Sequence, residues 1–452
     1  MSELLNEHKA RDKTSTASGA DCVQAEPLDE FLLDGPNQGM DLGVDPVGHK
    51  RAATAVAQAA VHSAVKQTDP AAGANGSRFV RACLRLPVDR TPVWFLRQAG
   101  RYMPEYMAVR KHHSLLEICR TPEIAAEVTI TAAERLGVDA AIIFADLLLP
   151  FTPMGVDFEF VADEGPRIHA PIRTTEQARA LRTDRTDELG FVARAIEKVV
   201  AHFAHHPQVD PGSSRSDQLG IIGFIGAPFT LASYMIEGCG SRNYIETKRL
   251  MYASTPTNDS NEVASEGAVG FNPDFHSESA AWPILMEKLV TVLADFAVQQ
   301  VEAGADVIQV FDSWVGALSP TDYRQYVLGP TRELIGRIRA LGVPVIYFGV
   351  DTATLLPAMR ETGADVVGLD WRTPLDEAWR TLGHGIAVQG NLDPIALFAP
   401  ETVLHARVEE ILNAAAGRPG HIFNLGHGIV PGTPVDAVLQ VVQQIKNSAR
   451  LR

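Results

Sequence analysis

Gly137-Val138-Asp139-Ala140-Ala141-Ile142-Ile143-Phe144, Gly304-Ala305-Asp306-Val307-Ile308-Gln309-Val310-Phe311 and Gly363-Ala364-Asp365-Val366-Val367-Gly368-Leu369 are three statements of one phrase. A glycine closes an amphipathic stretch, an apolar residue and an aspartate follow, and a short apolar run begins at once. Glycine there predicts a left-handed helix cap, since it takes positive φ without the clash a Cβ brings. The run behind it has strand length, so each phrase predicts the helix-to-strand junction of a βα repeat.

Working outward, five further runs have the same length and apolar character: Val93–Leu96, Gly220–Ile225, Val345–Phe348, Ile386–Gln389 and His421–Asn424. With Ala140–Phe144, Val307–Phe311 and Val366–Leu369 they make eight, the number that closes a barrel. The expectation is an α/β chain folded as a single (β/α)8 TIM-type barrel over residues 77–452. An open doubly wound sheet is the rival architecture. Helix starts carry their own signals, as in Thr121-Pro122-Glu123, where a capping residue precedes proline and an early acid. Residues 1–76 are rich in Ala, Ser, Gly, Asp and Gln and poor in large apolar side chains, which predicts a disordered extension. The polar run 255–279 predicts an inserted surface loop.

The chain has 452 residues, 46% of them hydrophobic, and a formal charge of −15. That acidity argues against a nucleic-acid surface. No apolar run approaches the ~18 residues of a membrane span; the longest, 140–151, is interrupted by Asp146. Neither a signal peptide nor a transit peptide is read at the N-terminus. Cys22, Cys83, Cys119 and Cys239 form no Cys-x-x-Cys pair, so no metal site is signalled. A cytoplasmic protein without membrane or nucleic-acid partners is expected.

Barrel chemistry sits at the C-terminal ends of the strands. After the first run come Arg97 and Arg101; after the second, Asp146; after the third, Gly226-Ala227-Pro228 and then Tyr234. The fourth gives Asp312 and Ser313, the sixth Asp370, the seventh Asn391, and the eighth Asn424 and Gly426-His427-Gly428. Arg97 and Arg101 suit a polyanion, because guanidinium groups stay charged and grip carboxylates with two prongs; an exposed pair bridged to Glu105 is the plainer reading. Asp146 intrudes on an apolar run, where a buried carboxylate costs several kcal/mol, roughly, unless paired; a capping role or an ion pair with Arg97 competes. His427 between glycines suits a carboxylate donor or a loop-carbonyl partner. Tyr234 has helical spacing with Leu231 and reads equally as core. Asp312 and Ser313 either cap the next segment or touch a ligand.

These residues resemble a known family. Thr91-Pro92-Val93-Trp94-Phe95-Leu96-Arg97-Gln98-Ala99-Gly100-Arg101-Tyr102-Met103-Pro104-Glu105 is similar to the N-terminal signature of uroporphyrinogen decarboxylases. Gly223 to Leu231, continued by Tyr234-Met235-Ile236-Glu237-Gly238, resembles their second signature. Shorter matches follow in order at Ile142 to Asp146, Val367 to Trp371, Gln389 to Pro394 and Asn424 to Gly428, so the likeness covers the chain from about Arg78 on. The resemblance implies a dimerising barrel that converts the four acetates of uroporphyrinogen III to methyls, giving coproporphyrinogen III, with no metal or organic cofactor. Arg97, Arg101, Asp146, Tyr234, Ser313 and His427 are then the substrate-contacting residues, with Asp146 and Arg97 catalytic. A homodimer is implied as well.

The chemistry is consistent with that set. Protonating the ring carbon that bears the acetate makes the pyrrole an iminium, and this cation accepts the electrons that CO2 leaves behind. Asp146 would stabilise the positive ring. The proton donor stays open among Arg97, Tyr234, His427 and an arginine-held water. The alternatives are a methyltransferase of the same fold, which needs a thiolate-bearing zinc site, and a non-catalytic tetrapyrrole-binding protein.

Overall fold

The computed structural model describes residues 76–161, 165–205, 218–254 and 280–448. The loop 255–279 and all but the last residue of the extension 1–76 lie outside these residues. Seven strands form one parallel sheet: β1 (Ala140–Ile142), β4 (Gly220–Gly226), β5 (Val307–Asp312), β6 (Val345–Gly349), β7 (Val366–Gly368), β8 (Ala387–Gln389) and β9 (His421–Ile422). They pair in that order, and helices cover the outside. Strands hidden on both faces read as continuous apolar runs rather than as alternation, which is why the sequence exposes them so plainly. An antiparallel hairpin of β2 (Phe158–Val161) and β3 (Gly165–Ile168) is an addition the βα pattern did not foretell. Its signal is the alternation Phe158-Glu159-Phe160, with Phe158 edge-on to both Phe151 and Phe160.

The repeated phrase has a structural cause. Gly137, Gly304 and Gly363 stand at φ 63°, 107° and 82°. The aspartate two residues on then clasps the neighbouring segment at two points. Asp306 donates its N–H to the Ile221 carbonyl (2.8 Å) and accepts the Ile221 N–H on its carboxylate (2.8 Å). Asp365 does the same with Val345 (3.0 and 3.0 Å), and Asp139 with Val93 (2.8 and 2.9 Å).

The first expected strand, Val93–Leu96, needs correction. It makes a single bridge, Val93 to Phe423, rather than a ladder. Pro92 has no N–H to give. The Leu96 N–H goes to the side chain of Asn424 (3.0 Å) instead of a strand. The segment nonetheless lies between the two edges of the sheet, since the Phe423 N–H donates to Pro92 (2.8 Å) while Asp139 holds Val93. Thr121 precedes the helix Pro122–Leu136 as expected, but its hydroxyl makes no capping bond.

Candidate active site

A cleft of about 230 Å³ opens at the C-terminal end of the sheet. Five of the six residues singled out from the sequence line it: Arg97, Arg101, Asp146, Tyr234 and Ser313. The sixth, His427, stands beside it, and its neighbour Gly428 forms part of the wall.

Arg97 begins the turn that carries both guanidinium groups. Its φ of 58° lies in the left-handed region, which a side-chain-bearing residue enters at a cost of about 1 kcal/mol. The turn is pinned by Tyr102, whose hydroxyl donates to the Gln98 carbonyl (2.6 Å), and by the Met103 N–H donating to Gly100 (2.9 Å). Leu96, just before it, accepts the Ile429 N–H (3.0 Å). Arg97 is thus held from both sides of the chain.

Asp146 lies beyond the end of β1, half-buried, with one carboxylate oxygen accepting the Leu148 N–H (2.8 Å). The capping role and the cleft position coexist: one oxygen closes the local turn, and the residue faces the cavity. Tyr234, on the helix Pro228–Glu237, is 2% exposed and stacks on Trp314 with ring centroids 3.8 Å apart. It too is both core and wall. Ser313 follows β5 directly and points the same way as Phe311 into the cleft.

His427 owes its flanking glycines to packing within the protein. Neither Gly426 nor Gly428 has positive φ. A Cβ on Gly428 would come within 2.6 Å of Arg97 Cγ, and one on Gly426 within 2.8 Å of the Asp370 backbone carbon. The imidazole sits edge-on to Trp371 (6.0 Å), with Nδ1 3.4 Å from the Gly428 carbonyl. Burial, and then the positive charge of Arg97, push its pKa down to about 4, so the ring is neutral near pH 7.

Pattern reasoning missed the apolar walls. Phe224, Phe311 and Phe348, from β4, β5 and β6, meet edge to face at 5.5 and 6.0 Å along the cleft. Each lies inside a strand, where a phenylalanine reads as core. The one available signal is position: Phe311 and Phe348 are the penultimate residues of their strands.

The other strand-end polar groups serve the scaffold. Asp370 accepts the Arg372 N–H (2.9 Å), Asn391 donates to the carbonyls of Asp370 and Thr373 (2.8 and 2.7 Å), and Asn424 accepts from Leu96 and Leu425. The cleft is therefore built on β1, β4, β5, β6 and the arginine turn, with Gly428, Ile429 and Pro431 completing the wall. It joins two permanent cations and one carboxylate to an aromatic, apolar surface. Such a site suits a flat apolar ligand with acidic substituents. Among the described residues no group of three His, Cys, Asp or Glu side chains converges as metal ligands, and no helix is long and apolar enough to cross a membrane.

Residues 75–448 match the family described as uroporphyrinogen decarboxylase (URO-D). A uroporphyrinogen decarboxylase of Koribacter versatilis is 57% identical over 366 residues, covering 81% of this chain and 94% of that one. Those of Solibacter usitatus and Carboxydothermus hydrogenoformans are 48% and 44% identical, each match covering 82% of this chain and 97% of the relative. Among solved structures, a methyltransferase from Methanosarcina mazei superposes with a TM-score of 0.63 at 19% identity, over 82% of this chain and 98% of that one. That likeness is one of fold.

Proposed function

The chain belongs to the uroporphyrinogen decarboxylase family, and we propose that its cleft removes CO2 from the acetate side chains of uroporphyrinogen III by using the substrate's own pyrrole as electron sink. It is a carboxy-lyase of porphyrin biosynthesis. The observation that carries the mechanism is the pairing of Arg97 and Arg101 with Asp146 along a phenylalanine-lined wall.

The macrocycle lies against the phenylalanines, and the arginines hold its carboxylates. A proton adds to the ring carbon bearing the acetate. The resulting cation is stabilised by Asp146, which accepts hydrogen bonds from pyrrole N–H groups; fixed charge is worth more where the bound macrocycle displaces water than in bulk solution. The C–C bond to the carboxylate then breaks, its electron pair neutralises the ring, and protonation of the exocyclic carbon with loss of the ring proton leaves a methyl. His427 is neutral in the empty site. Its role in this scheme is to donate an N–H to a substrate carboxylate, as Ser313 donates its hydroxyl. Tyr234 packs against the ring edge.

Anaerobic incubation with uroporphyrinogen III, followed by chromatography of the oxidised products, tests the scheme. Seven-, six-, five- and four-carboxylate species should appear in turn, ending at coproporphyrin III. Binding without loss of carboxylate would instead favour a tetrapyrrole-binding protein.

The ring is read as an eight-membered barrel over residues 77–452 with segment 92–96 as its first member, supported by the Asp139 clasp on Val93 repeating those of Asp306 and Asp365. Slow hydrogen exchange at Trp94, Asp139 and Phe423 is expected, and fast exchange at Trp94 and Phe423 would open the ring. The chain is read as a cytoplasmic homodimer, for which the acidic composition and exposed apolar side chains such as Ile395 and Phe398 are the support. Sedimentation as a monomer at micromolar concentration would refute the dimer.

A further inference from the structure

We propose that Asp312, which does not line the cleft, is a positioning residue that holds Ser313 and Tyr234 in place for the decarboxylation. The proposal rests on the reading of the cleft given above.

Asp312 ends β5 and is fully buried. Both of its oxygens are engaged by neighbouring hydroxyls. One accepts the hydroxyl of Thr230 (2.7 Å), the other that of Tyr347 (2.7 Å), and the Tyr323 hydroxyl lies 3.1 Å behind Tyr347. The backbone of Thr230 supplies a further hydrogen bond. These groups come from three directions: the helix Pro228–Glu237, β6, and the turn of helix at Tyr323–Val327. On that side Glu361 and Arg332 act on Tyr323, and Glu361 pairs with Arg324 on the same turn (3.0 Å) and with Arg332 (3.9 Å). A carboxylate with only hydroxyl and amide donors is an expensive core residue. Its geometry gives it a task.

Thr230 lines the cleft, and its hydroxyl works in two directions. It donates to Asp312 and accepts the N–H of Trp314 (3.2 Å). Residues 312 and 314 are therefore both tied to the start of one helix, and Ser313 between them is left facing the cavity. The Trp314 ring then backs Tyr234 at 3.8 Å. One carboxylate thus fixes a hydroxyl and an aromatic wall of the site without touching what the site holds. Burial pushes the Asp312 pKa up to about 6, so in mildly acidic solution it gains a proton. The proton can be taken up only if a donor reverses. On the tyrosine side both hydroxyls must reverse, since Tyr323 donates to Tyr347. On the threonine side the Thr230 oxygen can accept the proton beside the Trp314 N–H, and its own hydrogen then leaves Asp312.

Two variants test the proposal on the intact protein. Asp312→Leu keeps a side chain of similar volume but removes both acceptors, so the hydroxyls of Thr230 and Tyr347 lose their tie to residue 312. It should keep KM for uroporphyrinogen III within about twofold and lose roughly ten- to a hundredfold in kcat, as expected of an ångström-scale misplacement. Tyr347→Phe removes one donor from the ionised carboxylate. The acid limb of its kcat profile should move up by about one pH unit, with the plateau at higher pH retained. An Asp312→Leu variant with parental kcat, or an unmoved acid limb in Tyr347→Phe, overturns the positioning role. Absence of turnover in the parent itself would instead strike the reading of the cleft.

Discussion

Arg97 occupies a left-handed backbone position, φ 58°, and its side chain lies where a Cβ on Gly428 would have to go. Backbone strain of this kind persists when surrounding contacts over-determine it, and it gathers at functional sites. The contact makes Gly428 a test of the arginine that leaves the arginine in place. Gly428→Ala should lower kcat/KM about tenfold or more by displacing the guanidinium, with little change in Tm; steady-state kinetics at parental activity would show that Arg97 need not sit there. Asp146→Asn removes the charge offered to the cationic ring while keeping an acceptor for the Leu148 N–H. Near-complete loss of turnover with retained binding of coproporphyrinogen is expected, and unchanged turnover would remove Asp146 from the mechanism. The cleft's charged and polar members were legible as the residues following apolar runs. Its phenylalanines were not, because an aromatic residue in a strand reads the same whether it faces the core or a cavity.

At the scale of elements, the Gly-x-Asp junction recurs with one geometry and three environments. Asp306 and Asp365 hold strand edges near the surface, Asp365 also meeting Arg339 at 3.0 Å. Asp139 sits 6% exposed between Arg78 (2.9 Å) and Arg90 (2.6 Å). Removing the acid from a buried cluster strands its cations, at about 3–5 kcal/mol, whereas losing one part-buried hydrogen bond costs about 1 kcal/mol. Asp139→Ala should therefore shift the urea midpoint several times more than Asp306→Ala, and equal shifts would contradict the ranking. Gly304→Ala should cost about 1–2 kcal/mol for its φ alone, and the new Cβ would also press on Val200 at 3.0 Å. The phrase was visible in the sequence as glycine, aspartate and apolar run. What the aspartate grips was not, because its partner lies dozens of residues away.

For the molecule as a whole, buried groups pull acid stability in opposite directions, Asp312 and Asp306 one way, His421 and His427 the other. Asp312 is raised to about 6 by burial; its protonation favours the fold fully below the ordinary carboxylate pKa, and that gain is withdrawn as pH rises through 6. His421, 3% exposed, is lowered by burial to about 4; its contribution is whole above the ordinary histidine pKa and lost as pH falls through 4. Between about pH 4 and 6 they offset each other. Asp312→Asn removes the Asp312 contribution and leaves the others in place. That variant should exceed the parent by up to about 3 kcal/mol at pH 8 and lose the advantage by pH 4, as read from denaturation midpoints. A pH-independent difference would refute the assignment.

The strand-forming runs, the glycine junctions between helix and sheet, the family and most of the cleft's polar residues were legible along the chain. Each of these depends on neighbours along the chain: the period of apolar residues, a positive φ, a side chain just past a strand end. Only the tertiary structure decided that Val93–Leu96 makes one bridge rather than a ladder, that His427 stands beside the cleft, and that Asp312 does not line it. Those outcomes depend on which distant groups, Asn424, Arg97, Thr230 and Tyr347, compete for the same hydrogen bonds and space. Such competition arises only once the sheet has curled and brought them together.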